Sequence, residues 1–388
     1  MSVRADVDGT AARLRSRLVR ALVRGGTLSD PRWRAAFLAV PRHAFLPRYF
    51  QQASGRWSAV ERGDSDWLNR IYADRVLVTQ LDGDSTRWDE ARDNGPVTGA
   101  PTCSSSMPTI MAVMLEALQV NNSDRVLEIG TGTGYNAALL CVGLGDDRVS
   151  TVDIDRTLAA QAEHQLTATG FHPTCVVGDG ADGYEDNAPY DRVLCTCAVP
   201  NIPLAWLAQT RPGGLVVTTL SRPLGAGLVR ITAGDGATGE GRVLADDGRF
   251  MPLRAADRHP VTWPTADDVG STRSTRLSAG VISPASPFEF FAGLAASDVQ
   301  VMAAGDGVVL LAHPDGSWAR HTGAVVSQAG PRRLWDQIEA AYDEWVSLGE
   351  PRRARFGITV TPDQQELWLD DADSPHRWDV AGGGFAIS

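Results

Sequence analysis

Three groups of residues in this sequence have types and spacings that could do chemistry. Gly130, Gly132 and Gly134 alternate through Glu128-Ile-Gly130-Thr-Gly132-Thr-Gly134-Tyr135. Glycine is needed where backbone takes a positive φ or lies against a ligand with no Cβ in the way. The G-x-G-x-G spacing differs from the G-x-G-x-x-G of pyrophosphate binders. Asp153 ends the next apolar run, Val149-Ser-Thr-Val-Asp153. An acid at the tip of the strand after a glycine loop can accept both hydroxyls of a ribose. Asp155, two residues on, is expected to begin the following helix. Ser106 lies in Ser104-Ser-Ser106-Met-Pro108. A serine just before a proline-containing first turn reads as a helix cap. The five cysteines are scattered and odd in number, and Cys175, Cys195 and Cys197 fall in apolar stretches. That suits reduced, buried thiols rather than disulfides. The seven histidines are dispersed and no C-x-x-C or H-E-x-x-H occurs, so no metal site is expected.

The elements that must position these residues follow from apolar periodicity. Val126-Leu-Glu128-Ile is a buried strand that feeds the glycine turn and a helix starting near Asn136. Residues 149–153 form a second strand and 158–166 a helix. Residues 174–180 are a third strand with its closing turn, 189–198 a fourth, 202–207 a helix, and 211–218 a turn and fifth strand. This alternation implies an α/β fold with a doubly wound, mostly parallel sheet and right-handed crossovers. Upstream, Leu14, Leu18 and Leu22 repeat at helical spacing, and Ser29-Asp-Pro31 starts a second helix. Val40-Pro-Arg-His-Ala-Phe-Leu-Pro47 is a structured turn in which His43 reads as packing. Ile110, Met111, Met114, Leu115 and Leu118 form the apolar face of the helix after Ser106.

At 388 residues the chain is long for one domain, and two are expected, 1–254 and 255–388. The second reads as an α+β module. Residues 257–286 are rich in Pro, Ser, Thr and Asp and read as a linker or wrapping segment. Residues 288–294 are a short helix. Strands 299–302 and 308–312 meet through Gly305-Asp-Gly307, a hairpin signal. Residues 331–348 are an amphipathic helix with Leu334, Ile338, Ala341, Trp345 and Leu348 inward. Phe356, Ile358 and Val360 alternate before a turn into Leu367-Trp-Leu369. The module either packs on the rest of the chain and stabilises it or recognises a peptide, since tryptophan is enriched at both cores and interfaces.

Composition narrows the function classes. No apolar run approaches the ~20 residues of a membrane span. The first residues lack an apolar signal core, so a cytoplasmic protein is expected. The net charge of −11 argues against a nucleic-acid binder. Yet the first fifty residues hold ten arginines against three aspartates, a local charge of +7. This is either a solvated helix face or a patch that attracts an acidic peptide.

Five ordered motifs tie these observations to a known family. With Glu128 two residues before the first glycine, the loop resembles motif I of S-adenosylmethionine-dependent methyltransferases. The octet 40–47 resembles the "V-P-R-H-x-F-V-P" segment of protein L-isoaspartate O-methyltransferases. Tyr72-Ala-Asp74-Arg-Val-Leu77 resembles that family's "A-Y-x-D-x-P-L", Ser106-Met-Pro108 its "S-x-P", and Gly248-Arg-Phe-Met-Pro-Leu253 its closing "V-R-F-V-P-L". The resemblance covers roughly residues 30–254. It implies a Rossmann-like class I methyltransferase that binds S-adenosyl-L-methionine through Glu128, Gly130, Thr131, Gly132, Gly134, Asp153, Ile154, Asp179 and Gly180. It implies a catalytic hydroxyl on Ser106, and Tyr72, Ser105 and Ser106 toward the substrate. One departure stands out. Between Thr79 and Cys103 the family's short "P-I-G-x-G-Q-T-I-S" is replaced by a longer, Gly- and Asp-rich stretch. That segment faces the substrate in the family, so the departure bears on substrate identity more than on reaction type.

The implied reaction is methyl transfer to a carboxylate. An aspartate side chain has a pKa near ~3.9, so at neutral pH it is already the nucleophile and needs no base. Two substrates compete. One is isoaspartate in damaged proteins. The other is an ordinary aspartate in a ribosomally made peptide, whose ester then closes to an aspartimide. The altered stretch and the C-terminal module favour the second, as does resemblance to C-terminally extended actinobacterial relatives that modify lanthipeptide-like or graspetide-like precursors. A cofactor-binding regulatory protein without transfer activity is a third reading. The sequence leaves oligomeric state open.

Overall fold

The computed structural model describes residues 2–220, 222, 224–254, 261–265, 267–296, 298–303 and 307–380. The chain forms two compact units, residues 1–197 with 208–217, and residues 198–207 with 218–388. The boundary expected at 254 falls inside the second unit.

The first unit has a parallel core. Strand Val126–Ile129 is flanked on one side by Val149–Asp153 and on the other by Tyr190–Val199, and Thr174–Val177 pairs beyond Val149–Asp153, all parallel. All four residues of the central strand are buried, as expected of a strand covered on both faces. Helices Tyr135–Leu144 and Arg156–Ala168 make the crossovers, and Asp155 caps the second by accepting from Thr157 N and Leu158 N. This is the mostly parallel α/β sheet expected from the alternation, and the class I methyltransferase fold that the resemblance implies. Helices Pro31–Ala39 and Tyr135–Leu144 pack closely. Phe37 meets Tyr135 edge to face at 6.4 Å, and the ring of Trp33 lies where a Cβ on Gly143 would be.

Residues 48–105 build a separate four-stranded antiparallel sheet, in the order Arg56–Glu61, Arg48–Ala53, Leu77–Leu81, Pro101–Ser105. The stretch that departs from the family is therefore ordered. It runs from the third of these strands through helix Arg87–Asn94 into the fourth. Trp88 and Ala91 on the helix pack with Phe50, Trp57, Val78, Leu81 and Val97. Trp57 exchanges backbone hydrogen bonds with Val97 and donates its indole N–H to Gly99 O at 3.0 Å.

The second unit holds two antiparallel layers. Strands Gly227–Ala233, Gly239–Val243, Phe356–Val360, Gln365–Leu369 and Arg377–Asp379 pair in that order. Residues 227–243 thus share a sheet with residues 356–379, which places the unit's start far upstream of 254. A five-stranded sheet follows the order Ser271–Ser274, Val325–Ala329, Trp318–Thr322, Val309–Ala312, Gln300–Ala303. Ser271–Ser274 lies within the stretch read as a linker. The expected hairpin at Gly305-Asp-Gly307 has its flanking strands paired, but Gly305 and Asp306 lie outside the described residues. Helix Leu334–Ser347 buries Leu334, Ile338, Ala341 and Trp345 as its periodicity predicts, while Leu348 caps its end half-exposed. Glu289 is buried and accepts from Gly225 N at 2.9 Å and from Arg249 at 2.8 Å. Among the described residues no helix is long and apolar enough to cross a membrane.

Candidate active site

The glycine loop follows from three positive-φ positions and one very close approach, at Gly130. Gly130, Gly132 and Gly134 have φ of +92°, +52° and +81°, conformations that cost an L-residue roughly 1–2 kcal/mol. A Cβ on Gly130 would sit 2.9 Å from both Cys197 Sγ and Thr196 Oγ1. The Thr196 hydroxyl donates to Gly130 O at 2.9 Å, so the fourth parallel strand holds the loop from below. Asp153 holds it from the side. One carboxylate oxygen accepts from Gly132 N at 2.9 Å and the other from Asp155 N at 3.0 Å. Gly178 N donates to Asp153 O at 3.0 Å, which ties the Asp179 turn to the same strand tip. There Asp179 caps the turn Gly180–Asp182 by accepting from Ala181 N at 2.9 Å, and Gly180 is buried.

Glu128 is placed differently from its expected role. It is fully buried behind the loop, accepting from Asn136 Nδ2 at 2.6 Å and Thr151 Oγ1 at 2.7 Å. Thr151 Oγ1 in turn lies 2.7 Å from Thr131 Oγ1. Burial raises the Glu128 carboxyl to about 7, against the two hydrogen bonds that favour its charge and with the Asp153 charge adding to the rise. Its carboxyl holds strand to helix and to neighbouring strand.

Ser106 is not a helix cap. The N-cap of helix Pro108–Ala117 is Met107, with no side-chain cap of its own. Asp74 supplies the cap from another segment, accepting from Thr109 N at 2.9 Å and from Thr109 Oγ1 at 2.5 Å. The Ser106 hydroxyl makes no hydrogen bond among the described residues. Its neighbour Ser105 is buried and its hydroxyl accepts from Arg42 at 3.2 Å. Tyr72 is buried too, its hydroxyl 2.7 Å from His43 Nδ1. Burial and the Arg62 charge lower the His43 pKa, and the buried ring, edge to face with Trp67, fits its reading as a packing histidine.

A small cleft of about 30 Å³ brings residues 104–106 together with residues 130–133, Asn136 and Thr196. The expected catalytic hydroxyl and the glycine loop therefore line one space. A second, larger cleft of about 180 Å³ also reaches Gly132 and Thr133. Thr79, Gln80, Asp84, Ser85 and Trp88 line its wall, all from the stretch that departs from the family pattern. Opposite them lie Gln161 and Gln165 of helix Arg156–Ala168.

The residues fit a nucleoside-bearing methyl donor. The loop offers Cβ-free backbone at Gly130 and Gly132. Asp153 retains lone pairs beyond the two amide bonds it accepts. Ile154 presents an apolar side chain that is 42% exposed at the strand tip, where a flat base could cover it. Among the described residues no cluster of His, Cys, Asp or Glu is placed to hold a metal. All five cysteines carry free thiols.

Comparison with known proteins agrees with this geometry. A family model described as Protein-L-isoaspartate(D-aspartate) O-methyltransferase matches residues 91–239. The protein-L-isoaspartate O-methyltransferase of Methanopyrus kandleri is 33% identical over 216 residues, 55% of this chain and 79% of that protein. That of Maricaulis maris is 33% identical over 233 residues, 60% of this chain and 90% of that protein. A protein-L-isoaspartate O-methyltransferase of solved structure superposes with a TM-score of 0.52 at 21% identity, covering 92% of this chain and 100% of that one. At that identity the likeness is one of fold. Its coverage is too wide for the second unit to be left out.

Proposed function

This chain belongs to the protein-L-isoaspartate O-methyltransferase family, and on that premise we propose that it methylates the side-chain carboxylate of an aspartate in a ribosomally made peptide, giving an ester that cyclises to an aspartimide. The enzyme is a protein carboxyl methyltransferase and its cofactor is S-adenosyl-L-methionine. Bound at the glycine loop, that cofactor supplies an electrophilic methyl group. Residues 130–134, Asp153, Ile154, Asp179 and Gly180 would hold it.

The chain's own residues have little proton chemistry to do, because the nucleophile is already ionised at neutral pH. Their task is orientation and exclusion of water. The Ser106 hydroxyl, unengaged and facing the loop across one cleft, donates to one carboxylate oxygen and leaves the other to react. The methyl ester then makes methoxide a leaving group. Attack by the next backbone nitrogen closes the five-membered ring, and the amide proton leaves with methoxide as methanol.

The observation that carries the substrate reading is the larger cleft. Part of its lining is the segment in which this chain leaves the family pattern, and it opens against Gly132 and Thr133. A built wall of this kind suits one dedicated peptide better than many damaged ones. Repair of isoaspartyl residues is the second reading, and the names of the relatives favour it. The second unit does not separate the two readings, since the superposed isoaspartate methyltransferase covers 92% of this chain. Mass spectrometry decides between them. The enzyme and its methyl donor are offered an isoaspartyl peptide and a candidate precursor encoded beside the gene. A methyl gained and methanol then lost on the precursor alone supports the proposal. Efficient methylation of any isoaspartyl peptide overturns it.

A further inference from the structure

Arg42 is a buried cation without an ion pair among the described residues. It sits in the turn Arg42–Ala44 and is 0% exposed. Among the described residues no carboxylate comes within ion-pairing distance of it. Its guanidinium instead gathers neutral acceptors from two segments. One Nη donates to Ile71 O at 2.7 Å and Ala73 O at 3.4 Å. The other donates to Ser106 O at 2.9 Å, Ser105 Oγ at 3.2 Å, Arg75 O at 3.3 Å and Ser105 O at 3.4 Å. The Tyr135 ring centroid lies 5.8 Å from its central carbon, and Nε has no partner. Burial lowers its pKa to about 10, partly opposed by Tyr135, Tyr72 and Asp74, so it stays charged at neutral pH.

Burying an unpaired charge is among the costliest things a fold can do. A neutral residue could satisfy a few carbonyls without that cost. The fork does two things that a neutral residue would not. It locks the Ser106 carbonyl to the segment that carries Asp74, which caps the helix after Ser106. It also leaves a buried positive charge, on which the Asp74 carboxylate acts only from beyond ion-pairing distance, beneath the residue whose hydroxyl faces the glycine loop.

We propose that Arg42 is a positioning and specificity residue, whose guanidinium fixes the Ser106 backbone and whose unneutralised charge selects an anionic carboxylate over a neutral amide at that serine. The inference rests on the carboxyl-methyltransferase reading, in which the bound substrate carboxylate is the missing counter-charge. It predicts a preference that uniform packing would not give.

The test compares two peptides, one carrying aspartate at the methylated position and one carrying asparagine there. In wild-type enzyme the aspartate peptide should bind at least tenfold more tightly, measured by calorimetry with S-adenosylhomocysteine present. Arg42→Met should shrink that ratio at least threefold while leaving affinity for S-adenosylhomocysteine within about twofold. Arg42→Lys keeps the charge but loses the fork. It should retain the aspartate preference and lower kcat at least tenfold. Equal binding of both peptides by wild-type enzyme overturns the charge role, even if neither variant folds. So does an equal loss of both peptides in Arg42→Met. An unchanged kcat in Arg42→Lys overturns the positioning role. Failure of the underlying function is separate, since it shows as wild-type enzyme that methylates no carboxylate at all.

Discussion

The Asp74 carboxylate grips Thr109 at both its backbone N–H and its hydroxyl, 2.9 and 2.5 Å away, and so caps a helix from outside it. That relationship is what releases Ser106. A serine two residues before a helix would otherwise turn its hydroxyl to the orphan amides of the first turn. Ser106→Ala should therefore cost the helix nothing. It should lower kcat by roughly 10–100-fold, the worth of one hydrogen bond to a charged group. Thermal midpoint and affinity for the methyl donor should stay within error of wild type. A parallel fall in stability would return Ser106 to a capping role.

Gly130→Ala tests the loop. The new Cβ would need space held by Cys197 Sγ and Thr196 Oγ1, each 2.9 Å away, in a backbone at φ +92°. The backbone strain alone costs about 1–2 kcal/mol. Donor affinity should fall at least tenfold by calorimetry, with peptide affinity much less affected. Gly170, also at positive φ but with open space around its Cβ position, is the control. Gly170→Ala should lower stability modestly and leave donor affinity alone.

Glu128 makes stability depend on pH. Its carboxyl titrates near 7 in the folded chain against an ordinary 4.5. The folded state binds the proton more tightly, so the stability this brings is full below about 4.5. It falls as pH rises and is gone once pH passes about 7. The loss is of order 3 kcal/mol from the two values. Glu128→Gln can keep partners at Thr151 and Asn136 without a charge. Thermal scans at pH 5 and pH 8 should show wild type losing stability relative to the variant at the higher pH. Parallel curves would mean that the carboxyl titrates normally.

The exposed side of helix Ser2–Arg24 carries Arg13, Arg17, Arg20 and Arg24, spaced so that all four share one face. None makes an ion pair among the described residues. If an acidic stretch of the peptide docks there, changing all four to glutamine should raise KM about tenfold, at ~0.3–0.5 kcal/mol for each exposed contact. The difference should vanish in high salt, where such contacts are screened. An unchanged KM at low salt would make the stripe a solvated face.

Sequence legibility followed the range of the interactions. The parallel strands and the glycine turn were readable because buried strands are written as continuous apolar runs and positive φ is written as glycine. Asp155 was readable as a cap because its partners are two and three residues away. Asp74 and Arg42 were not, since they act on residues 35 and 64 positions away. Glu128 was taken for a cofactor contact from its place in the motif, but a strand buried along its whole length turns it inward. The strand Ser271–Ser274 hid in a linker-like stretch because it is a polar edge with no apolar alternation. The stretch from Thr79 to Cys103 reads in the sequence only as polar and rich in glycine and aspartate. Its ordered core rests on Trp88, Ala91 and Val97, too few apolar residues to show a period.

Strand Gly239–Val243 is zipped to Gly227–Ala233 on one side and to Phe356–Val360 on the other, with Gly239 opposite Val360. Its second neighbour is thus made more than a hundred residues later. A chain stopped at residue 254 would leave that strand as a raw edge, ready to recruit another molecule's backbone. The C-terminal third is therefore tied to the strands before it by backbone pairing, and a change in either strand of that pair is felt by the other.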